Sequence, residues 1–343
     1  MSDLFSPLPK LLLPWYELNK RDLPWRQDRE PYHVWLSEIM LQQTRVEAVK
    51  GYYDRFLKRL PTIQDLAEAD PEELNKLWEG LGYYSRVRNL QKAAKQIMEL
   101  GGFPTEHREI LKLSGIGDYT AGAIGSICFE LPTPAVDGNV LRVCSRLTAD
   151  PSPIDKPQTK KKLTEELAAI YPKDHCGDFT QALMELGATV CVPNGAPKCE
   201  ACPLSGICLA KKDGLAEILP VKSAKKPRKA ENMTVFILEC EGKFALNKRP
   251  ETGLLAGLWE FPHVPGTLET EEALAQLETW GICPEEILRS SDKIHIFTHI
   301  QWNMHGWYIR CANMSDGFTW AAETELDDIY ALPTAFRQFR LKE

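Results

Sequence analysis

The sequence has no long apolar segment, and its first residues lack the pattern that is typical of a leader. Nowhere in its 343 residues do eighteen apolar residues follow one another, so no segment has the usual pattern of a membrane-spanning helix. The first fifteen residues, MSDLFSPLPKLLLPW, have an early acid, a short apolar run and no small-residue cleavage site. This is not the pattern of a signal peptide, and we expect a cytoplasmic protein.

An excess of basic residues, common in nucleic-acid-binding proteins, is also missing. The chain carries 41 Lys and Arg against 48 Asp and Glu, a net charge of −7. Residues 1–210 carry 25 basic and 28 acidic side chains, residues 211–231 carry 7 and 3, and residues 232–343 carry 9 and 17. Because most of the acidity lies in the last third, the net charge does not exclude nucleic acid as a partner of the first part.

The length and the patterning predict two domains of different class. From about residue 30 to residue 210, apolar residues recur every three or four positions, which predicts an all-α domain over residues 1–210. Residues 211–231 are polar, basic and interrupted by prolines, which is typical of a linker. Residues 232–343 alternate strand-like runs, including a hairpin around Glu241 and Gly242, with one helical run, and predict an α+β domain.

Four of the ten cysteines lie within eighteen positions, whereas the other six are scattered. This distribution favours one metal site in a reducing compartment over a disulfide framework. Cys191, Cys199, Cys202 and Cys208 are separated by seven, two and five residues. Four thiolates suit a [4Fe–4S] cluster, and zinc sites more often pair two short elements across a longer gap. Zinc and four unligated thiols remain the alternatives.

Residues 110–128 predict a helix end, a tight turn at Gly115 and Gly117, and a second helix rich in small residues. Both glycines allow positive φ, and the N–H groups of such a turn can bind a phosphate. An ordinary helix connection fits the same pattern. Asp137 follows in PAVDGNV, at the position of a helix N-cap, and capping alone would explain it.

The Gly-x-Gly hairpin, the VDGNV segment and the four cysteines together resemble the helix–hairpin–helix DNA glycosylases that carry an iron–sulfur cluster. The resemblance implies that Gly115 and Gly117 hold a DNA phosphate and that Asp137 is catalytic. It also implies a [4Fe–4S] cofactor on the four cysteines. The endonuclease III type carries a lysine just after the hairpin, which attacks the sugar. Here that position is Tyr119, which points to a monofunctional glycosylase.

The segment LSEIMLQQTRV resembles the corresponding segment of the MutY type, whose members excise adenine mispaired with 8-oxoguanine or guanine. LPWR, LGYYSRVRNL and FTQALMELG are also similar to MutY, so that the resemblance covers most of residues 20–210. It implies that Glu38 is the general acid. Apolar Ile39, Met40 and Leu41 beside it are compatible with burial and a raised pKa.

The resemblance implies roles for further residues. Asp137 would remain ionised and stabilise an oxocarbenium-like sugar, with Tyr119 and Asn139 beside it. Adenine must leave the duplex to reach Glu38. Residues assigned to the adenine pocket are Trp25, Arg26 and Gln181. The resemblance also implies residues that contact the DNA, the oxidised guanine or the gap that the adenine leaves in the duplex. They are Gln43, Thr44, Tyr83 and Arg86. For Trp25 and Tyr83, ordinary core packing is an equal alternative. The expected partner is double-stranded DNA with such a mispair, bound by a monomer.

GLLAGLWEFPHV resembles the start of a Nudix-like domain such as the one that ends MutY proteins. The stretch ALAQLETWGI stands where a working Nudix hydrolase needs its metal-binding glutamates and lacks most of them, so we expect no pyrophosphohydrolase activity. The resemblance assigns 8-oxoguanine recognition to Phe297, Thr298 and His299. A plain hairpin is the alternative.

Three positions depart from the MutY pattern. The first cysteine spacing is seven residues where six is common, Ser114 replaces the usual proline of the hairpin, and Thr298 replaces serine. We expect the cluster, the hairpin and the recognition loop to tolerate these changes. Two other functions remain open: an endonuclease III-like lyase acting on oxidised pyrimidines, and a non-catalytic sensor of DNA damage.

Overall fold

The computed structural model describes residues 4–224 and 227–340. It divides into two compact units, one formed by Met1–Glu68 with Asn89–Ala224 and the other by Ala69–Arg88 with Lys225–Glu343. The sequence gives no sign that residues 69–88 group with the second unit. The predicted boundaries at residues 210 and 231 stay a prediction.

The first unit is helical, as its apolar periodicity predicts. Its helices are α1 (Leu8–Asn19), α2 (Pro31–Met40), α3 (Val46–Arg59), α4 (Ile63–Glu68), α7 (His107–Ile110), α8 (Asp118–Phe129), α9 (Gly138–Thr148), α10 (Pro157–Ala168), α11 (Cys176–Thr189) and α12 (Leu209–Lys212). Helix α5 (Pro71–Leu77) belongs to the second unit, and α6 (Ser85–Glu99) contains the division at residue 88.

Helices α1, α9 and α11 pack around one apolar core. Each contributes fully buried side chains, among them Leu12, Val140 and Phe179. Burying such a side chain stabilises the fold by about 1.5–3 kcal/mol. Helices α9 and α11 approach closely, because a Cβ atom at Gly187 would lie 2.5 Å from the Cβ atom of Asn139. This contact fixes the start of α9, where Asp137 and Asn139 lie.

The second unit contains a mixed sheet. Its strands are β1 (Lys229–Cys240), β2 (Lys243–Lys248), β3 (Trp259–Glu260), β4 (His263–Pro265), β5 (Pro284–Ile296), β6 (Ile300–Cys311) and β7 (Thr319–Ala322). The order is β3-β2-β1-β6-β5, with β4 on β1 and β7 on β2. Strands β1 and β6 are parallel, and β5 and β6 are antiparallel. The α+β prediction is therefore confirmed.

Helices cover both faces of this sheet. α13 (Thr270–Thr279) packs through Leu277 against Phe236 and Ile309, whereas α14 (Glu323–Asp328) and α15 (Thr334–Arg337) belong to the core on the other face. The predicted hairpin is present, and Glu241 and Gly242 both have positive φ, as its turn requires.

The stretch between the last helix of the first unit and β1 is partly ordered against the first unit. The Leu219 carbonyl accepts a hydrogen bond of 2.8 Å from Arg146 Nε, and the Val221 carbonyl accepts one of 3.0 Å from Ile154. Strand β1 already begins at residue 229. In the part of the chain that the structure describes, no helix has the length and apolar character to cross a membrane.

Candidate active site

One cavity of about 700 Å³ in the first unit collects residues from distant parts of the sequence. It is lined by parts of α2, α8, α9 and α11 and by the loops before α2 and α3. Nine residues singled out from the sequence line it: Trp25, Arg26, Glu38, Gln43, Thr44, Tyr119, Asp137, Asn139 and Gln181. Its volume lies within the range of about 300–1,000 Å³ that is typical of ligand pockets.

Glu38 lies in an apolar stretch of α2. All of residues 34–40 are buried, and Glu38 itself is 7% exposed. The Tyr119 hydroxyl donates a short hydrogen bond to Glu38 Oε2. Burial, with a smaller contribution from the Asp137 carboxylate, raises the pKa of Glu38 from its ordinary 4.5 to about 7, although the Tyr119 bond and Arg26 oppose the shift. This carboxyl group is therefore partly protonated at neutral pH.

Asp137 is the N-cap of α9. Its Oδ1 accepts 2.8 Å from the Val140 N–H, and its Oδ2 accepts 2.7 Å from Asn139 Nδ2. Burial raises the pKa of Asp137, and these two hydrogen bonds act against that rise because they favour the ionised form. The Asn139 side chain is held in turn by Arg142 Nη2, 2.7 Å from its Oδ1. Two carboxyl groups in different environments thus share one cavity.

A charged network that the sequence analysis missed lies beside Glu38. The fully buried Glu185 carboxylate accepts 2.6 Å from Arg21 Nε and 2.8 Å from Arg26 Nη2. Gln181 and Glu185 are one turn apart on α11, and this spacing in FTQALMELG was the available signal. Lys160 of α10, also not singled out, lines the cavity too. The network fixes the Arg26 guanidinium at the cavity wall.

Of the two glycines in the hairpin before α8, one has the positive φ that glycine allows. Gly115 has φ +75°, and a Cβ atom there would lie 2.6 Å from Asn89 Cβ. Gly117 has φ −104°, which is extended backbone, because it is the N-cap of α8. Ser114 donates its N–H to Gln96 Oε1 at 2.8 Å. The backbone at Gly117 is open, since a Cβ atom there would meet nothing within 4 Å.

The four clustered cysteines line one small cavity of about 30 Å³. Three cations, Arg146, Lys198 and Lys211, line it as well, and Arg146 Nη1 lies 3.3 Å from Cys191 Sγ. Four thiol groups and compensating positive charge fit the donor set of a [4Fe–4S] cluster. Among the described residues, no group of three or more His, Cys, Asp or Glu side chains is arranged for a single metal ion.

The second unit contains the remaining predicted residues. The Tyr83 hydroxyl lies 2.8 Å from the Thr298 hydroxyl, and Tyr83 has φ +48° and is 47% exposed. Arg86 is buried, donates to the carbonyls of Leu81 and Gly82, and lies 5.7 Å from the centre of the Tyr83 ring.

Phe297, Thr298 and His299 form the turn between β5 and β6. The Phe297 N–H donates 2.8 Å to the Ile300 carbonyl, and the Phe297 ring packs edge-on against Trp302 with 4.8 Å between the ring centres. Thr298 and His299 are exposed. The turn therefore has an anchored aromatic and two accessible polar side chains.

Two family models match the chain. One, described as HhH-GPD superfamily base excision DNA repair protein, matches residues 36–171, and the other, described as NUDIX domain, matches residues 233–341. A thermostable thymine-DNA glycosylase has a similar structure, with a TM-score of 0.56 and 30% identity over 61% of this chain and 97% of that one. An endonuclease III with a TM-score of 0.52 and 24% identity shares the helical fold.

Adenine DNA glycosylases are similar in sequence over most of the chain. The human enzyme is 40% identical over 355 aligned residues, which cover 84% of this chain and 64% of that protein. For the Arabidopsis thaliana enzyme the identity is 39%, and the chain spans only 55% of its length. The enzyme of Buchnera aphidicola subsp. Acyrthosiphon pisum is 34% identical over 90% of this chain and 88% of that protein. The chain therefore belongs to the adenine DNA glycosylase family.

Proposed function

We propose that the protein hydrolyses the N-glycosidic bond of adenine mispaired with 8-oxoguanine or guanine in duplex DNA and leaves an abasic site. The observation that carries the proposal is Glu38, a buried carboxyl group with a pKa raised to about 7, in a cavity that also holds Asp137. Its family relatives are described as adenine DNA glycosylases.

Glu38 acts first as a general acid. Adenine is a poor leaving group unless a ring nitrogen, N7, is protonated as the glycosidic bond breaks. A carboxyl group with a pKa near 7 is matched to this transfer at neutral pH. The Tyr119 hydroxyl orients the carboxyl group by its hydrogen bond. After the bond breaks, the Glu38 carboxylate activates the water that attacks the sugar.

Asp137 stabilises the positive charge that develops on the sugar. The Val140 N–H and Asn139 Nδ2 hold its two oxygens and favour its ionised form. A fixed carboxylate in a site shielded from water stabilises an oxocarbenium-like transition state more than water would. Trp25, Arg26 and Gln181 line the same cavity and bind the flipped adenine.

The second unit reads the base opposite adenine. The accessible hydroxyl of Thr298 has both a donor and an acceptor capacity, which suits the hydrogen-bonding edge of 8-oxoguanine. Phe297 anchors the turn, and Tyr83 lies against Thr298. We assign Gln43 and Thr44 of the first unit to the gap left by the adenine, and the open backbone at Gly117, before α8, to a DNA phosphate.

The four cysteines hold a [4Fe–4S] cluster. Cys191, Cys199, Cys202 and Cys208 supply the thiolates, and Arg146, Lys198 and Lys211 offset their negative charge. When bound, the cluster cross-links the segment from residue 191 to residue 208, which otherwise contains only one short 3-10 helix, Cys199–Ala201. The catalytic roles of Glu38 and Asp137 do not involve the cluster.

Excision assays separate this function from a lyase. Duplexes would place adenine opposite 8-oxoguanine, guanine or thymine, with a thymine-glycol duplex as control. We expect adenine to be removed opposite 8-oxoguanine and guanine, with strand breakage only after alkali. Cleavage of the thymine-glycol strand, or breakage of the adenine strand without alkali, would replace the proposal by a lyase, with Lys160 as the amine to test.

A further inference from the structure

Residues 69–88 pack on the part of the chain that the Nudix family model matches, although they lie within the region matched by the glycosylase model. One contact of this segment, that of the Tyr83 hydroxyl with the Thr298 hydroxyl, is already part of the proposed function. Its other contacts with residues 227–340 are with residues outside the turn Phe297–His299, and the proposed function gives them no role.

Glu72 and Lys76 of α5 make the first of these contacts. Glu72 Oε2 accepts 3.0 Å from Trp259 Nε1, and its Oε1 lies 2.5 Å from Lys248 Nζ. Lys76 Nζ donates 3.0 Å to the Leu326 carbonyl. The hydrogen bond and charge of Glu72 raise the pKa of Lys248, which favours the charged form of this lysine. Charge-assisted hydrogen bonds of this kind are stronger than neutral ones.

The contacts continue to the start of the Tyr83 loop. Glu79 accepts 2.9 Å from the Leu332 N–H through Oε1, while its Oε2 binds Lys76 Nζ at 2.9 Å. On the far side of the loop, Arg88 Nη1 donates 2.9 Å to the Ala256 carbonyl. The loop is therefore held at both ends by charged side chains that bind the domain carrying Thr298.

The loop between these anchors has an unusual backbone. Gly80, Gly82 and Tyr83 all have positive φ, and Trp78 Nε1 closes the loop with a bond of 3.1 Å to the Gly82 carbonyl. Because positive φ is unfavourable for tyrosine, surrounding contacts must maintain this conformation. The anchors at each end supply such contacts.

We propose that Glu72, Lys76 and Glu79 are positioning residues that hold Tyr83 against Thr298, so that selection of the base opposite adenine depends on them. This inference rests on the proposed function. None of the three side chains needs to touch DNA for this role. They act by keeping the tyrosine and the reading turn in one rigid element.

The test is the binding preference for 8-oxoguanine over guanine opposite adenine, measured on full-length protein with 2′-fluoro-deoxyadenosine duplexes that resist cleavage. Lys76→Met removes the donor and should reduce the preference about tenfold, chiefly by weakening binding opposite 8-oxoguanine. Lys76→Arg keeps a donor and should restore most of it. Lys243→Met, at an exposed lysine of β2, is the matched control and should leave the preference unchanged. Glu72→Gln provides a second, milder variant if Lys76→Met does not fold.

A double-variant cycle distinguishes positioning from general stability. Thr298→Val removes the hydroxyl that Tyr83 contacts, and adding Lys76→Met to it should then reduce the preference little further. Full additivity of Thr298→Val and Lys76→Met would overturn the positioning role, and so would an unchanged preference in both Lys76→Met and Glu72→Gln. In either case, a preference for 8-oxoguanine in the wild-type protein would still uphold the proposed function. Absence of any preference in the wild-type protein would instead refute 8-oxoguanine recognition, and the positioning role with it.

Discussion

Glu38 is surrounded by buried side chains of its own helix, and the same helix delivers it to a cavity that also holds a second carboxyl group. Burial accounts for most of the increase in its pKa to about 7, and Tyr119 limits the increase by donating to the ionised form. The balance of these opposing effects places the proton of Glu38 in the range where a general acid is most useful.

The first prediction concerns the pH dependence of excision. Because the protonated form of Glu38 is the active acid, the single-turnover rate of adenine excision should be highest on the acid side of pH 7. It should decrease again at more acidic pH, where Asp137, whose pKa is also raised by burial, becomes protonated. Above a midpoint near the Glu38 pKa of about 7 it should fall, approaching about tenfold per pH unit. A series from pH 5.5 to 9 at saturating enzyme measures it. A rate that rises through pH 7 would mean that Glu38 acts as a base in the limiting step.

The second prediction concerns Glu185, which offsets the charge of Arg26. Arg26 lowers the pKa of Glu38, so Glu185→Gln leaves that positive charge less compensated and should shift the midpoint of the pH profile to lower pH, with slower excision at pH 7.5. Glu17→Gln, at an exposed glutamate paired with Lys20, is the control and should not move the midpoint. A shift to higher pH in Glu185→Gln would contradict this assignment.

At the scale of helices, the contact between α9 and α11 determines where Asp137 and Asn139 lie. Gly187 of α11 leaves room for the Asn139 backbone, and a Cβ atom there would come within 3.0 Å of Asn139 Cα. Arg142 strengthens the same contact by donating 2.8 Å to the Gly187 carbonyl. The start of α9 therefore depends on the absence of a side chain on its neighbour.

The third prediction follows from this contact. Gly187→Ala should separate α9 from α11, lower the free energy of unfolding by about 1–3 kcal/mol, and slow excision by displacing Asp137. Denaturant unfolding and single-turnover kinetics measure the two effects. Gly51→Ala, on an exposed position of α3, is the control, since a Cβ atom at Gly51 would meet only the guanidinium end of Arg55, at 3.7 Å. Equal free energies of unfolding and equal excision rates for the two variants would contradict this role of Gly187.

Sequence periodicity was sufficient to predict the helical and α+β classes, because burial of one face leaves a regular pattern in each element. Residue type and position at the ends of these runs also predicted the capping role of Asp137 and the turn at Glu241 and Gly242. Periodicity missed the ion pairs of Glu185 with Arg21 and Arg26, which are more than 150 positions apart along the chain. Gly117 proved extended because its place as an N-cap, and not its residue type, determines its backbone conformation.

At the scale of the whole chain, composition and cysteine spacing indicated two domains and a four-thiol site. They did not indicate that residues 69–88 group with the second unit, because the contacts of Glu72, Lys76 and Glu79 are with residues about 170–260 positions later. Neither hydrophobic periodicity nor local motifs record such long-range polar contacts. The resemblance to MutY named Tyr83 and Thr298 separately, and only the structure brings their hydroxyls together.

The fourth prediction concerns the cysteine cluster. Freshly purified protein should be coloured, with broad visible absorbance and about four irons per chain. Removal of the iron should make residues 190–224 more sensitive to proteolysis while residues 232–340 remain protected, because the cysteine segment has little secondary structure of its own. Limited proteolysis with mass spectrometry measures this. A colourless preparation with stoichiometric zinc would contradict the iron–sulfur assignment.

The most direct test of the account is the single-turnover rate of adenine excision opposite 8-oxoguanine by Glu38→Gln. Glutamine keeps the shape of Glu38 and a hydrogen bond with Tyr119 but cannot donate the carboxyl proton. We predict a loss of about 10²–10⁴-fold in the rate, with duplex affinity close to that of the wild type. Excision by Glu38→Gln within about threefold of the wild-type rate would contradict the central claim that the buried carboxyl group protonates adenine.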